Sequence, residues 1–238
     1  MIWSKSKLKT FRDCSLKYKF GYIDKLIGKK AEITNKGIIL HDIFDKFYDH
    51  YSHDKGFEIA MTETLHAMNI NDEFVDKYQI HFNAFKEFNV KKLKEHQEHF
   101  FPLLREKKYE IEKWRGIIDR VDKIGDKIIL IDYKTTKGYS IGNYEDELLL
   151  YAELIKKETV YTPTHIAILF TGNNNLVVNK IDPSNQDAVV KELTDEAILY
   201  ESQITNRKFA ATKGYWCSYC EFKKYCPKFG GGKLDECF

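Results

Sequence analysis

Two apolar-rich runs meet at Gly125-Asp126 in the middle of this chain, and the pairing they imply sets two aspartates against each other. A glycine-first dipeptide between such runs suits a two-residue hairpin loop. If that pair is the whole loop, Ile124 faces Lys127, and counting outward sets Asp119 directly across from Asp132. Opposed side chains on one face have Cβ atoms about 5 Å apart, where like charges repel. Two carboxylates held that way call for a cation between them, and a divalent metal is the natural candidate. Lys134 shares the face of Asp132, because strand side chains alternate with period two.

The remainder of the chain is large enough to surround such a hairpin with a core. It has 238 residues, 43% of them hydrophobic and 14% aromatic. No run of about 18 apolar residues is present, so no membrane span is expected. The stretch Met1-Ile2-Trp3-Ser4-Lys5-Ser6-Lys7 lacks the apolar core of a secretory signal. Together these suggest a cytoplasmic protein with no membrane partner. The formal net charge is only +2, but it is unevenly spread. Residues 1–30 carry nine basic and two acidic side chains, and residues 205–238 carry seven and three, whereas residues 31–204 carry 22 and 31. Basic ends converging near a metal site suit a phosphate-backbone track, with ordinary solvated faces as the bland competitor.

Apolar periodicity gives the element order. Residues 4–22 suggest a helix anchored by Leu8, Phe11, Tyr18 and Tyr22. Residues 35–53 form the clearest amphipathic helix, with Leu40, Ile43, Phe44, Phe47, Tyr48 and Tyr51 on one stripe. Helices are expected over 56–69 and 73–98, the second highly charged and surface-lying. A strand over 107–114 leads into the hairpin at 116–134. A helix over 145–157, strands over 164–171 and 175–180, and a long helix over 184–205 follow. The stretch 214–238 is irregular. Helices, then a hairpin, then helix and strands predict an α/β (α+β) fold with a mixed central sheet flanked by helices.

The chemistry these residues suit is phosphodiester hydrolysis. It needs a metal-activated water and neutralisation of charge on the phosphoryl group. Asp119 and Asp132 supply oxygen ligands, and Lys134 can orient the water or stabilise the anion. His41 lies beside the apolar stripe of helix 35–53, and an imidazole ligand tilts preference from Mg²⁺ toward Mn²⁺. Five cysteines remain: Cys14, Cys217, Cys220, Cys226 and Cys237. The spacing Cys217-x2-Cys220-x5-Cys226 is that of metal ligation, one ligand short. By spacing, Cys14 and Cys237 compete for the fourth place, and either Zn²⁺ or a 4Fe-4S cluster suits four thiolates.

Six short motifs in order carry a resemblance that spans nearly the whole chain. They are the opening Ser4-x-Ser6-x-Leu8 through Phe11 and Cys14, Gly37-x3-His41, Gly116-x2-Asp119-Arg120, Asp132-Tyr133-Lys134, Glu147-x3-Tyr151-Ala152, and the terminal cysteines. In these the chain resembles the PD-(D/E)XK nuclease superfamily, and within it the RecB-type exonuclease branch and the CRISPR-associated fourth Cas protein family. The resemblance implies a restriction-endonuclease-like core and one nuclease domain over 1–238. Residues 31–204 would form the core, and 1–30 with 205–238 an iron–sulfur subregion joining the two ends. It implies that His41, Asp119, Asp132 and the backbone carbonyl of Tyr133 ligate Mg²⁺ or Mn²⁺. Lys134 would assist the attacking water, and Tyr151 would line the site and contact DNA. The resemblance also favours Cys14 over Cys237 as the partner of Cys217, Cys220 and Cys226 around a 4Fe-4S cluster. Two positions depart from the pattern: Glu147 stands where glutamine is usual, and Ser15 where proline is usual. Glu147 either adds negative charge near DNA or makes a further metal contact. The implied activity is a metal-dependent DNA exonuclease, a hydrolase acting on single strands or DNA ends in DNA processing, recombination or spacer acquisition. The alternatives are a partner-dependent or non-catalytic DNA-binding subunit of a larger complex, and a zinc-stapled nucleic-acid-binding module whose carboxylates are incidental.

Overall fold

A computed structural model describes residues 1–26 and 32–230, with the side chains of 32–35 not described. Cys237 lies outside the described residues. Helices α1 (Lys5–Asp13), α2 (Ser15–Tyr18), α3 (Glu32–His50), α4 (Gly56–Ala67), α5 (Asp72–Lys77) and α6 (Gln79–Glu95) precede the first strand. Strands β1 (Leu104–Ile111), β2 (Trp114–Ile124) and β3 (Lys127–Lys134) follow. Then come α7 (Glu145–Glu158), β4 (His165–Phe170), β5 (Asn175–Lys180) and α8 (Pro183–Thr205). The five strands form one mixed sheet in the order β1-β2-β3-β4-β5. Strand β3 pairs antiparallel with β2 and parallel with β4, and β4 pairs antiparallel with β5. The parallel step requires a crossover, which α7 provides.

The β2–β3 hairpin turns at Gly125-Asp126, with Ile124 opposite Lys127 and Arg120 opposite Ile131. Asp119 and Asp132 are the next residues outward in that register. Gly125 has φ +56°, which glycine adopts without steric cost. The anticipated stripe of α3 is buried in full: Leu40, Ile43, Phe44, Phe47, Tyr48 and Tyr51 all belong to one core cluster. That cluster also contains Phe82, Phe85, Ile129, Ile131 and Tyr133, so α3 and α6 cover the face of the sheet that carries these alternate residues of β3. The Phe44 and Phe85 rings stack with centroids 4.3 Å apart.

Three elements differ from expectation. The first helix breaks at Cys14, whose backbone is extended (φ −162°, ψ 106°). The Cys14 thiol accepts a hydrogen bond from the Lys17 N–H at 3.4 Å and so caps α2. The segment 73–98 is two helices, broken at Tyr78, and α6 does not lie on the surface. It buries His81, Phe82, Ala84, Phe85, Asn89 and Lys92. A lysine tolerates that burial only when paired. Lys92 Nζ lies 2.9 Å from Asp122 Oδ2 and donates to the Phe100 carbonyl at 3.0 Å. The strand expected over 107–114 runs instead from Leu104 to Ile111.

The chain divides into two compact units. One comprises Met1–Glu32, Ile111–Arg115 and Lys191–Phe238; the other comprises Ile33–Glu110 and Gly116–Val190. Among the described residues no helix is long and apolar enough to cross a membrane.

Candidate metal centre and catalytic side chains

The larger unit gathers one polar cluster at the end of the hairpin away from its turn. Asp119 Oδ2 accepts a hydrogen bond from the Tyr133 backbone N–H at 2.8 Å, which ties the carboxylate across to β3. His41 comes from α3, and its Nδ1 lies 3.4 Å from Asp119 Oδ2 and 3.7 Å from Glu106 Oε1. One ligand atom from each of His41, Glu106 and Asp119 falls within 4.8 Å of the others. An imidazole nitrogen and carboxylate oxygens at that spacing fit Mn²⁺ or Mg²⁺. Asp132 is buried beside them, and its Oδ2 has no hydrogen-bond partner of good geometry. Its compensation is ionic: Lys134 Nζ lies 2.8 Å from that oxygen and 3.0 Å from Oδ1.

Lys134 is held on its other sides by Glu147 and Tyr144. Its ammonium is 3.9 Å from Glu147 Oε2 and 4.9 Å from the centre of the Tyr144 ring. Tyr151 donates its hydroxyl to Glu147 Oε1 at 3.2 Å. The sequence spacing Glu147-x3-Tyr151 therefore puts both on one face of α7. Gly116 is explained by the same tyrosine, since a Cβ there would lie 2.6 Å from the Tyr151 ring. The structure thus brings His41, Asp119, Asp132, Lys134, Glu147 and Tyr151 into one neighbourhood. Tyr133 sends its side chain the other way, into the core, where Arg120 Nη1 meets its hydroxyl at 3.1 Å. Arg120, next to Asp119 in sequence, turns away from it, and its Nε donates to Asp122 Oδ1 at 2.8 Å.

Glu106 is the residue the sequence does not mark. It sits in β1 with φ +40°, a left-handed backbone uncommon for a non-glycine residue. Strand alternation cannot anticipate where such a residue sends its side chain. Strained backbone positions cluster at ligand sites, and the acid at 106 meets His41.

The charge balance has consequences for titration. Burial opposes the charged form of His41, but hydrogen bonds to Asp119 and Glu106, with the charges of Asp119 and Asp132, outweigh it and lift the imidazole to about 10. Burial and then the neighbouring Asp119 raise Asp132, against the pull of Lys134. Burial likewise raises Glu106, with His41 opposing. Burial would lower Lys134, but Asp132 and Glu147 more than reverse it, so the ammonium stays charged. A proton on His41 thus balances the surrounding acids, and a metal ligated by its Nδ1 would have to displace it. Mn²⁺ affinity should rise by about tenfold per pH unit from pH 7 toward 9, the slope for one displaced proton. Titration calorimetry at three pH values checks this; an affinity independent of pH would remove His41 from the ligand set.

In the smaller unit Cys14, Cys217, Cys220 and Cys226 line one pocket, together with Phe20, Trp216 and Phe222. All four thiols are free. Burial raises Cys220, and proximity to Cys14 and Cys217 raises it further. The two chain ends therefore supply cysteines to one place, although about 200 residues separate Cys14 from Cys217 in sequence.

The mixed sheet, the crossing helix and the gathered acids beside Lys134 form an arrangement of the kind a metal-dependent nuclease needs. The chain belongs to the PD-(D/E)XK nuclease superfamily, whose family model matches residues 2–227. The exonuclease/helicase subunit RexA of Lactococcus lactis subsp. cremoris is 35% identical over 94 residues, 34% of this chain. An ATP-dependent helicase/nuclease chain of Lactococcus lactis subsp. lactis is 35% identical over 92 residues, again 34% of this chain. The match spans only 8% of the length of either relative. A crystal structure of a candidate exonuclease from Eubacterium rectale superposes with a TM-score of 0.50 at 10% identity. That superposition covers 98% of this chain and 88% of the other, a likeness of fold.

Proposed function

We propose that the chain is a metal-dependent DNA exonuclease of the RecB-like kind, using Mg²⁺ or Mn²⁺ held by His41, Asp119 and Asp132. The observation that carries this reading is the joint placement of an imidazole, four acids and one charged lysine in a single cluster. Glu106 joins the ligand set, because its oxygen shares the 4.8 Å neighbourhood of His41 and Asp119. The Tyr133 carbonyl remains a proposed ligand from family resemblance. The bound metal supplies an activated water and a Lewis acid for the phosphoryl oxygen. Lys134 orients that water or stabilises the developing anion. Glu147 acts as counter-charge and anchor for Lys134 and Tyr151, the role its contacts fit. The substrate is DNA, as single strands or ends. The test is an assay on end-labelled single- and double-stranded DNA with Mg²⁺, Mn²⁺ or a chelator. Metal-dependent shortening from a labelled end is expected; uncut DNA under all metals would refute the activity.

We further propose that Cys14, Cys217, Cys220 and Cys226 hold a 4Fe-4S cluster that staples the smaller unit. The four thiols line one pocket; four thiolates suit either a 4Fe-4S cluster or one Zn²⁺, and the family resemblance favours the cluster. Purified under anaerobic conditions, the protein should be brown, and Cys220→Ala should lose the visible absorption and most of the bound iron. A colourless wild-type protein containing one zinc would overturn the cluster. Participation in a recombination or spacer-acquisition assembly is the alternative setting for the same domain, and robust cleavage by the isolated chain would argue against an obligate partner.

A further inference from the structure

Lys134 is the last residue of β3, and the chain then runs through an exposed loop to the turn at Gly142–Tyr144. Both ends of that loop are at the same place, because the Tyr144 ring packs under the Lys134 ammonium. The middle of the loop is fixed. The Gly138 N–H donates to Asn173 Oδ1 at 3.1 Å, and the Gly138 carbonyl accepts from Asn173 Nδ2 at 3.2 Å and from Asn175 Nδ2 at 3.0 Å. Glycine is required at this anchor: a Cβ on Gly138 would lie 2.2 Å from the Phe170 ring. The partner loop approaches just as closely, since a Cβ on Gly172 would lie 2.7 Å from the Thr136 carbonyl carbon. Directly after this pinned glycine stands Tyr139, 80% exposed. Its ring stacks on no other aromatic ring among the described residues, whereas Tyr144 and Phe170 nearby are mutually packed.

A loop braced on both sides thus presents one bare aromatic face to solvent. Five residues span at most about 18 Å, so Tyr139 stands within a few nucleotides of a phosphate held at Lys134. Exposed Lys137, two residues earlier, offers a cation for the adjoining backbone. Aromatic rings that stack on successive bases are the usual device for gripping unpaired strands, and a backbone already anchored at Gly138 lowers the ordering cost of doing so. We propose that Tyr139 is a stacking platform for an unpaired base of the DNA strand whose phosphate reaches Lys134. This deepens the nuclease reading and rests on it. In a duplex the base faces are already stacked, so the platform favours single-stranded substrate.

The test compares wild type, Tyr139→Phe and Tyr139→Ala binding a fluorescein-labelled 15-nucleotide thymidine strand in chelator, by anisotropy. Tyr139→Ala should weaken binding about tenfold, within the range typical of one base–aromatic stack. Tyr139→Phe should restore it to within about twofold, since the ring and not the hydroxyl does the stacking. In Mn²⁺, Tyr139→Ala should raise KM on the same strand about tenfold with kcat altered less than about twofold, the pattern of lost uniform binding. Unchanged binding in Tyr139→Ala, or no recovery in Tyr139→Phe, would overturn the platform. Because binding is read without turnover, a wild type that grips the strand but never cuts it would defeat the nuclease reading alone.

Discussion

Lys134→Ala should lower DNA cleavage by about 10²–10³-fold while leaving DNA binding within about threefold. The magnitude is that of removing one fixed donor or charge from a site where charge develops in the transition state. Lys134 suits that role because its charge is secured. Asp132 and Glu147 hold the ammonium protonated despite its burial, and the Tyr144 ring limits its motion. The loss has a second component. Without the ammonium, Asp132 keeps its burial and its neighbour Asp119 but loses the ion pair with Lys134, so its proton is held more tightly. Metal binding at neutral pH weakens as a result. Saturating Mn²⁺ and a pH near 9 separate the two effects, and the deficit that persists belongs to Lys134 itself. A Lys134→Ala protein that cut DNA within about tenfold of the wild-type rate would remove the lysine from the chemistry.

Arg120→Met should cost about 3–5 kcal/mol of stability, the penalty for breaking a buried pair from one side. Arg120 is 1% exposed and Asp122 0%. Its guanidinium bonds Asp122, the Tyr48 hydroxyl, Asn89 Oδ1 at 3.1 Å and the Tyr133 hydroxyl. Removing it leaves Asp122 with Lys92 as its one ionic partner among the described residues, and burial already pushes Lys92 down to about 8, with Arg120 adding to that and Asp122 opposing. At roughly 2–4 °C per kcal/mol for a chain of this size, the melting temperature should fall by about 6–20 °C. Lys191→Ala, which breaks an exposed pair with Asp195, should leave it unchanged. The two variants separate a structural network from decoration. A melting temperature within about 2 °C of wild type for Arg120→Met would show that the network is not a stabilising element.

This network lies one residue from the site on β2, and it shows where sequence and structure part. The hairpin is legible because a two-residue turn and period-two alternation fix the register outright. The α3 stripe is legible because six aromatic and aliphatic residues recur at helical spacing. The candidate site residues His41, Asp119, Asp132 and Lys134 need the six motifs together, since none of the four is distinctive alone. What escapes depends on long-range pairing. Lys92 looks like surface charge because its partner Asp122 is far off in sequence, in another element. Glu106 cannot be placed because a left-handed residue interrupts the alternation of β1. The break at Cys14 is hidden because apolar anchors continue on both sides of it, while the thiol caps a second helix.

Manganese anomalous scattering from a crystal soaked in Mn²⁺ would locate the ion itself. A peak ligated by His41 Nδ1 and by oxygens of Asp119, Asp132 and Glu106 is expected, with Lys134 beside it and not coordinated. A peak elsewhere, or none at millimolar Mn²⁺ and a pH of about 8, would contradict the metal centre and the nuclease chemistry built on it.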